Sequence, residues 1–239
     1  MREEILPDLE SVARRAARVI AKEARAAVHA RGRFLLATSG GATPWRMLRI
    51  LADENVPWAR VHLFQVDERV APATHPERNF THLCDSLLVH VSVPLAGVHA
   101  MPVEQPDLAL AAAGYATTLR KEAGDPPVLD LVHLGLGEDG HTASLVPNDA
   151  ALDIANSDVA ATAAYRGHRR LTLTYPVINR ARSILWVVTG AAKGPVLARL
   201  RRGDPSMPAG RVQRDRALIL SDASSNMGAT TSRSNTSCR

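Results

Sequence analysis

Short apolar runs alternate with amphipathic helical patterns along most of the chain. From Leu9 to Val28, apolar residues recur every three or four positions with arginines between them, which predicts a helix that ends at Gly32. The apolar run at residues 34–37 then has the length of a buried strand. Because parallel strands need helical crossovers, the alternation predicts an α/β fold: one domain with a mostly parallel open sheet flanked by helices, Rossmann-like and doubly wound.

The other predicted elements continue this order to residue 220. Thr43 is expected to cap the second helix, with Pro44 in its first turn. The domain is predicted to span residues 1–220. Residues 221–239, rich in Ser, Thr, Asn and Arg, are expected to form a disordered polar tail. The remaining strands are predicted at 61–66, 128–134, 171–174, 184–188 and 217–220, and the remaining helices at 43–52, 80–91, 107–122 and 191–201.

Composition and charge exclude several classes of protein. A 46% hydrophobic, 22% charged chain of 239 residues is typical of a folded globular protein. The net charge of +5 arises at the two ends, so no basic block indicates a nucleic-acid partner. No uncharged apolar run reaches the roughly 18 residues of a membrane span. Cys84 and Cys238 are far apart and are expected to be reduced thiols. Together with the lack of a membrane span, this predicts a soluble cytoplasmic protein without membrane association.

Four polar clusters follow predicted strands, where ligands of open α/β sheets bind. The first is a loop of small residues, Ser39, Gly40 and Gly41, which leads through Thr43 into a helix. Its backbone N–H groups and the helix dipole favour an anion there. The loop is therefore a candidate phosphate cradle, although an ordinary tight turn has the same composition.

Charged candidates follow the other strands. Arg69 can clamp a phosphate, Asp67 can orient a side chain or bind a hydroxyl, and Asn79 can supply a neutral hydrogen bond. Lys193 is one of only three lysines in an arginine-rich chain and is a candidate point charge for phosphate. Arg180 is a weaker candidate of the same kind. Surface positions would also explain each of these charges.

The glycine-rich segment at residues 135–147 contains the strongest catalytic candidate. Its G-x-G-x-x-G spacing does not predict a dinucleotide site, because Pro147 comes too soon for a long helix and two carboxylates in the loop would repel a pyrophosphate. Instead it presents His141, with Asp139 and Gly140 as neighbouring candidate binding residues. A neutral imidazole there can act as a general base. Most of the other histidines have no such setting and are interpreted as surface or packing residues, among them His29, His62, His82, His90, His99 and His168.

The motifs SGGATP, DER with a following Asn, GLGEDGHTASLVP, LTLTYPVIN and TGAAK, in this order, resemble the 6-phosphogluconolactonase family, within a wider group that includes glucosamine-6-phosphate deaminases. The resemblance covers residues 38–193. One departure is Arg78, where the family commonly has a small residue before the Asn, which could alter how Asn79 is presented. The other is the C-terminal part, where the family usually ends with a short apolar segment and a packed helix, whereas this chain turns polar at Asp222.

The resemblance implies hydrolysis of 6-phospho-D-glucono-1,5-lactone, the second step of the oxidative pentose phosphate pathway. His141 would be the general base, and Ser39-Gly40-Gly41, Arg69 and Lys193 would hold the phosphate. Asp67 and Asn79 would orient ring hydroxyls or the histidine. No cofactor or metal is implied, and the expected partner is a small sugar phosphate lactone, bound by a monomer or small homo-oligomer.

Two other functions stay open on the sequence. An amino-sugar-phosphate deaminase or isomerase would use Asp67 to shuttle a proton and His141 to open the ring. A non-catalytic sugar-phosphate sensor would keep the anion site alone.

Overall fold

The centre of the molecule is a parallel β-sheet. The computed structural model describes residues 1–229. Every pair of neighbouring strands in this sheet is parallel, which confirms the predicted fold class. The seven strands, in spatial order, are β1 (Arg2–Leu6), β10 (Ala217–Asp222), β9 (Ser183–Val188), β6 (Leu131–Leu134), β2 (Phe34–Thr38), β3 (Val61–Gln65) and β5 (Val98–His99).

Helices cover both faces of the sheet. Strand β2 shows the division, since Phe34 and Leu36 pack into one core and Leu35 and Ala37 into the other. Among residues 1–229, no helix is long and apolar enough to cross a membrane. On the Phe34 face lie α1 (Leu9–Arg31), α2 (Ala42–Leu51) and α3 (Asn79–Ser86), and on the Leu35 face lie α4 (Leu108–Ala123), α5 (Tyr175–Arg180) and α6 (Gly194–Arg202).

The first helix follows its sequence signals closely. The Asp8 carboxylate caps α1 by accepting the Ser11 N–H at 2.7 Å, and Gly32 ends the helix with φ of 73°. Its buried stripe is mainly alanine, which allows α1 to pack against the sheet. The second helix differs from the prediction, because α2 begins at Ala42 with Gly41 at the N-cap. Thr43 therefore lies in the first turn and does not cap the helix.

A second, antiparallel sheet was not predicted. It consists of β4 (Asp67–Arg69), β8 (Arg170–Leu173) and β7 (Val159–Ala161). Residues 171–174 were expected in the parallel sheet, and that placement is wrong. Residues 67–69 were interpreted as a polar cluster after a strand, but they form a strand of their own that pairs with β8. The charged residues of β4 do not indicate a buried strand. Its carboxylates are nevertheless buried, because they form hydrogen bonds that the sequence does not show.

The C-terminal boundary also differs from the prediction. Ser221 and Asp222 continue β10 through pairing with β1, and residues 224–229 form a 3₁₀ segment. The Ser225 and Asn226 side chains donate to the Asp222 carbonyl oxygen, at 2.8 and 2.6 Å. A disordered tail beginning at Ser221 is therefore wrong for this stretch, because polar side chains stabilise it. The rest of the predicted tail, residues 230–239, lies outside the described residues.

Candidate active site

A cavity of about 520 Å³ opens at the carboxyl edge of the parallel sheet. The cavity contains most of the residues that the sequence analysis singled out, from four separate segments of the chain. Asp139 and Gly140 do not line the cavity, but they lie on the same loop as His141, which does. The predicted residues that line the cavity are Ser39, Gly40, Gly41, Thr43, Asp67, Arg69, Asn79, His141 and Lys193.

The small-residue loop is held in place by contacts that only a glycine allows. A Cβ on Gly40 would meet Asn79 Oδ1 at 2.0 Å. The Ser39 N–H donates to Nδ1 of the fully buried His133 at 3.2 Å, and burial lowers the pKa of His133 to about 3, so this imidazole is a neutral acceptor. Thr43 Oγ1 lies 2.7 Å from Thr189 Oγ1. These contacts fix the N-terminus of α2 at the cavity, where the helix dipole favours an anion.

His141 is held by a carboxylate on its own loop. His141 Nδ1 lies 2.5 Å from Asp139 Oδ1, and the Tyr165 hydroxyl donates to Asp139 Oδ2 at 2.9 Å. A Cβ on Gly137 would lie 2.0 Å from His141 Nδ1, so glycine is required for the ring to fold back over the loop. With Nδ1 donating to a carboxylate, Nε2 keeps its lone pair and can accept a proton.

The electrostatics of this pair keep Asp139 ionised. Burial alone would raise the pKa of Asp139, but its electrostatic interaction with the His141 ring and the hydrogen bonds from His141 and Tyr165 outweigh it. The pKa of Asp139 is therefore below its ordinary value. Burial and the Asp139 charge raise the pKa of Tyr165, which stays a hydrogen-bond donor. An ionised Asp139 can stabilise a protonated imidazole as it forms.

Asp67 occupies a different part of the site. Its Oδ2 accepts the Ser144 hydroxyl at 2.6 Å, and its Oδ1 accepts the Asn79 amide at 3.2 Å. No hydrogen bond joins Asp67 to His141 within residues 1–229, so the carboxylate that orients the imidazole is Asp139. Asp67 and Asn79 instead form a hydrogen-bonded pair in the cavity wall, where a sugar hydroxyl can reach them.

The cavity wall is rich in cations. Arg69, Arg166, Arg170 and Lys193 all line it. Among the residues that line the cavity, three buried polar atoms have no hydrogen-bond partner in the described part of the chain: the Nε atoms of Arg69 and Arg170 and the Oδ1 of Asn79. An anion in the cavity would accept hydrogen bonds from the two arginine Nε–H groups, and a ligand hydroxyl would donate to Asn79 Oδ1.

Arg180 lies outside this site, so its predicted role in binding is wrong. Its guanidinium pairs with Asp158 and donates to the Pro127 carbonyl oxygen at 3.1 Å. Pro127 precedes β6, and Arg180 precedes β9, which places the side chain at the amino ends of these strands. A polar residue near a strand in sequence can therefore lie at the edge opposite the site.

Several site residues were missed by the sequence analysis. Their signals in the sequence are weak. Some act through a residue that is distant in the sequence, and Arg166 and Arg170 line the cavity but precede a predicted strand instead of following one. Asp222, for example, accepts the Gly190 N–H at 3.1 Å and fixes the loop that carries Lys193. The others are His133, Ser144, Tyr165, Arg166 and Arg170.

A fully buried carboxylate holds the charged strand in place. Glu68 accepts the backbone N–H groups of Arg69, Asn79 and Phe80 at 2.7–2.8 Å, and Arg78 Nε lies 3.2 Å from it. Arg78, the departure from the family pattern, is thus the buried counterion of Glu68. Asn79 keeps its amide hydrogen bonds to Asp67, so Arg78 does not remove it from the site.

We expect Glu68→Gln to lower the free energy of unfolding by about 3–5 kcal/mol, because it removes the buried carboxylate beside the buried Arg78 guanidinium and leaves the half-exposed Glu104 to balance that charge. Urea unfolding measures this change. Glu104→Gln is the matched control, since Glu104 contacts the same guanidinium at 2.6 Å but is 52% exposed, and should cost less than about 1 kcal/mol. Equal losses in the two variants would show that the Glu68 network does not stabilise the fold.

The protein combines a parallel α/β sheet with a cavity that is lined by cations and contains a histidine held by a carboxylate. Such a site is typical of an enzyme that hydrolyses or isomerises an anionic substrate. A family described as glucosamine-6-phosphate isomerases/6-phosphogluconolactonase matches residues 7–220. The 6-phosphogluconolactonase of Nostoc sp. is 36% identical over 201 residues, which are 82% of this chain and 83% of that protein. That of Mycobacterium tuberculosis is 37% identical over 233 residues, with 92% and 94% covered. The chain therefore belongs to this family.

Solved structures share the fold. The 6-phosphogluconolactonase of Thermotoga maritima superposes with a TM-score of 0.83 at 24% identity and covers 92% of this chain and 98% of its own. A monomeric glucosamine-6-phosphate deaminase gives 0.82 at 17% identity, with 94% and 98% covered. Because both branches share the architecture, the fold alone does not separate their chemistries.

Proposed function

We propose that this protein hydrolyses 6-phospho-D-glucono-1,5-lactone to 6-phospho-D-gluconate, the lactone step of the oxidative pentose phosphate pathway. The observation that carries the proposal is His141, held by Asp139 at 2.5 Å, in the wall of a cavity lined by four cationic side chains. The lactonase names of the relatives in Nostoc and Mycobacterium support it. Cytoplasmic location and assembly as a monomer or small homo-oligomer stay predictions.

The reaction needs one base and no covalent nucleophile. His141 Nε2 takes a proton from water as the water oxygen attacks the lactone carbonyl carbon. The tetrahedral intermediate collapses with cleavage of the bond between that carbon and the ring oxygen, and the imidazolium returns its proton to the ring oxygen. Asp139 stabilises the imidazolium between these steps. The product is a hydroxy acid that ionises at neutral pH, so each turnover releases one proton.

Substrate orientation comes from the phosphate. Arg69 and Lys193 supply positive charge, and the Ser39–Gly41 loop supplies the helix N-terminus. Binding the phosphate fixes the carbonyl relative to His141, which lowers the entropic cost of the attack. Asp67 and Asn79 bind ring hydroxyls.

We therefore expect Lys193→Met to lower kcat/KM for the 6-phosphorylated lactone about 10- to 100-fold, the effect of losing one charged hydrogen bond. For unphosphorylated glucono-1,5-lactone the same variant should behave like the unaltered protein. Acid release with both substrates measures this difference. Lys121→Met is the control, because Lys121 is 81% exposed and lies on α4. An equal loss on both lactones would contradict a phosphate role for Lys193.

A further inference from the structure

Three potential metal ligands meet on the face of the sheet that α4 covers, and none of them lines the cavity. His62 is the second residue of β3, and His99 is on the neighbouring strand β5. Glu122 lies in the last turn of α4, whose following segment returns to the amino end of β6. All three are half-buried.

The local sequence explains why these side chains converge. Tyr115, Leu119 and Glu122 are spaced four and three residues apart, so they share the face of α4 that packs on the sheet. On β3, His62 and Phe64 alternate with residues of the other core and face α4. His99 pairs with Phe64 in register, and their rings stack with centroids 4.4 Å apart. Strand pairing and helix packing therefore bring the side chains of His62, His99 and Glu122 together.

The distances between the ligand atoms suit a bound ion. His62 Nδ1 lies 3.1 Å from His99 Nε2 and 3.6 Å from Glu122 Oε2, and all the ligand atoms lie within 4.8 Å of one another. Ligands about 2.0–2.1 Å from a tetrahedral Zn²⁺ are about 3.3 Å apart, so these separations need little adjustment.

The chemistry of the three groups favours a transition-metal ion. Two imidazoles and one carboxylate are ligands that Zn²⁺ prefers, whereas Mg²⁺ and Ca²⁺ prefer oxygen. Burial lowers the pKa of both His62 and His99, which favours the neutral imidazole that binds a metal. Two positive charges oppose a cation: Lys121, which lies 3.6 Å from Glu122 Oε1, and Arg33 near His62.

We propose that His62, His99 and Glu122 form a binding site for a Zn²⁺-class divalent ion, with water at the fourth position. The ion would tie β3, the edge strand β5 and the end of α4 together, and it would have no part in the lactone chemistry. The spacing of these residues matches no sequence motif for zinc, because β-sheet pairing and helix packing bring them together.

Calorimetric titration of the chelator-treated protein with Zn²⁺ tests the site. We expect saturable binding that His62→Gln, His99→Gln and Glu122→Gln each weaken at least about 10-fold. Co²⁺ should give the visible absorption of a tetrahedral site in the unaltered protein, and Zn²⁺ should abolish that absorption. Lys121→Gln should tighten Zn²⁺ binding, because it removes an opposing charge.

Two controls separate this site from other histidine–carboxylate pairs. His168→Gln removes an imidazole 2.6 Å from Glu77, and His141→Gln removes the one beside Asp139. Both variants should keep the Zn²⁺ affinity of the unaltered protein. The proposal would be overturned if the protein showed no saturable Zn²⁺ binding. It would also be overturned if either control variant lost the binding while His62→Gln and Glu122→Gln kept it. The contact between His62 and His99 would then be only a hydrogen bond between two imidazoles.

Discussion

Replacing His141 with alanine is expected to lower kcat for the phosphorylated lactone by about 10²–10⁴-fold, the contribution of a positioned general base. The remaining activity would come from the phosphate and hydroxyl contacts, which still place the carbonyl next to water. KM should change much less than kcat, because the predicted phosphate ligands belong to other loops. Acid release under saturating substrate measures the change.

His168→Ala is the matched control for that variant. His168 also pairs with a carboxylate, Glu77 at 2.6 Å, but it does not line the cavity. Its kcat should equal that of the unaltered protein. If His141→Ala turned over the lactone at the unaltered rate, His141 would not be the base, although the protein would remain a lactonase.

Asp139→Asn is expected to lower kcat by about 100-fold or more, although the side chain keeps its shape. The amide cannot supply the negative charge that stabilises the imidazolium, and its N–H₂ group can donate to Nδ1 and hold the wrong tautomer. Adding His141→Ala to this variant should cause little further loss, because the two residues act as one unit.

Tyr165→Phe is the graded control for Asp139. It removes the hydroxyl that donates to Asp139 Oδ2 at 2.9 Å and leaves the contact with His141 in place. We expect a loss of less than about 10-fold, because Asp139 keeps its charge and its contact with the imidazole and loses only a supporting hydrogen bond. Losses that simply multiply in the Asp139→Asn and His141→Ala double variant would contradict a shared role.

The sequence predicts the architecture well because local signals agree with it. Strand β2 and helix α1 show this agreement: an apolar run gives the strand, and an amphipathic stripe ending at Gly32 gives the helix. The position of Gly40, Arg69 and Lys193 at one cavity follows from the rule that parallel strands end at one edge.

The sequence does not predict which polar side chains contact one another. The sequence predicts that Asp67 orients a ring hydroxyl or the imidazole and that Asp139 is a binding residue, whereas the fold of the glycine loop places Asp139 against His141 Nδ1. Arg180 follows a strand in sequence but lies at the other edge, where Asp158 neutralises it. Strand β4 looks like a loop because its buried Glu68 depends on donors from Asn79 and Phe80, more than ten residues away.

The proposed lactonase activity is tested most directly by acid release from freshly prepared 6-phosphogluconolactone, at a pH where spontaneous hydrolysis is slow, beside an ammonia assay with glucosamine 6-phosphate. We expect the unaltered protein to give rapid, saturable acid release and no ammonia. Ammonia release without lactone turnover would contradict the lactonase activity and identify the protein as a deaminase of the same family. No turnover of either substrate would favour a sugar-phosphate binding protein that lacks catalysis.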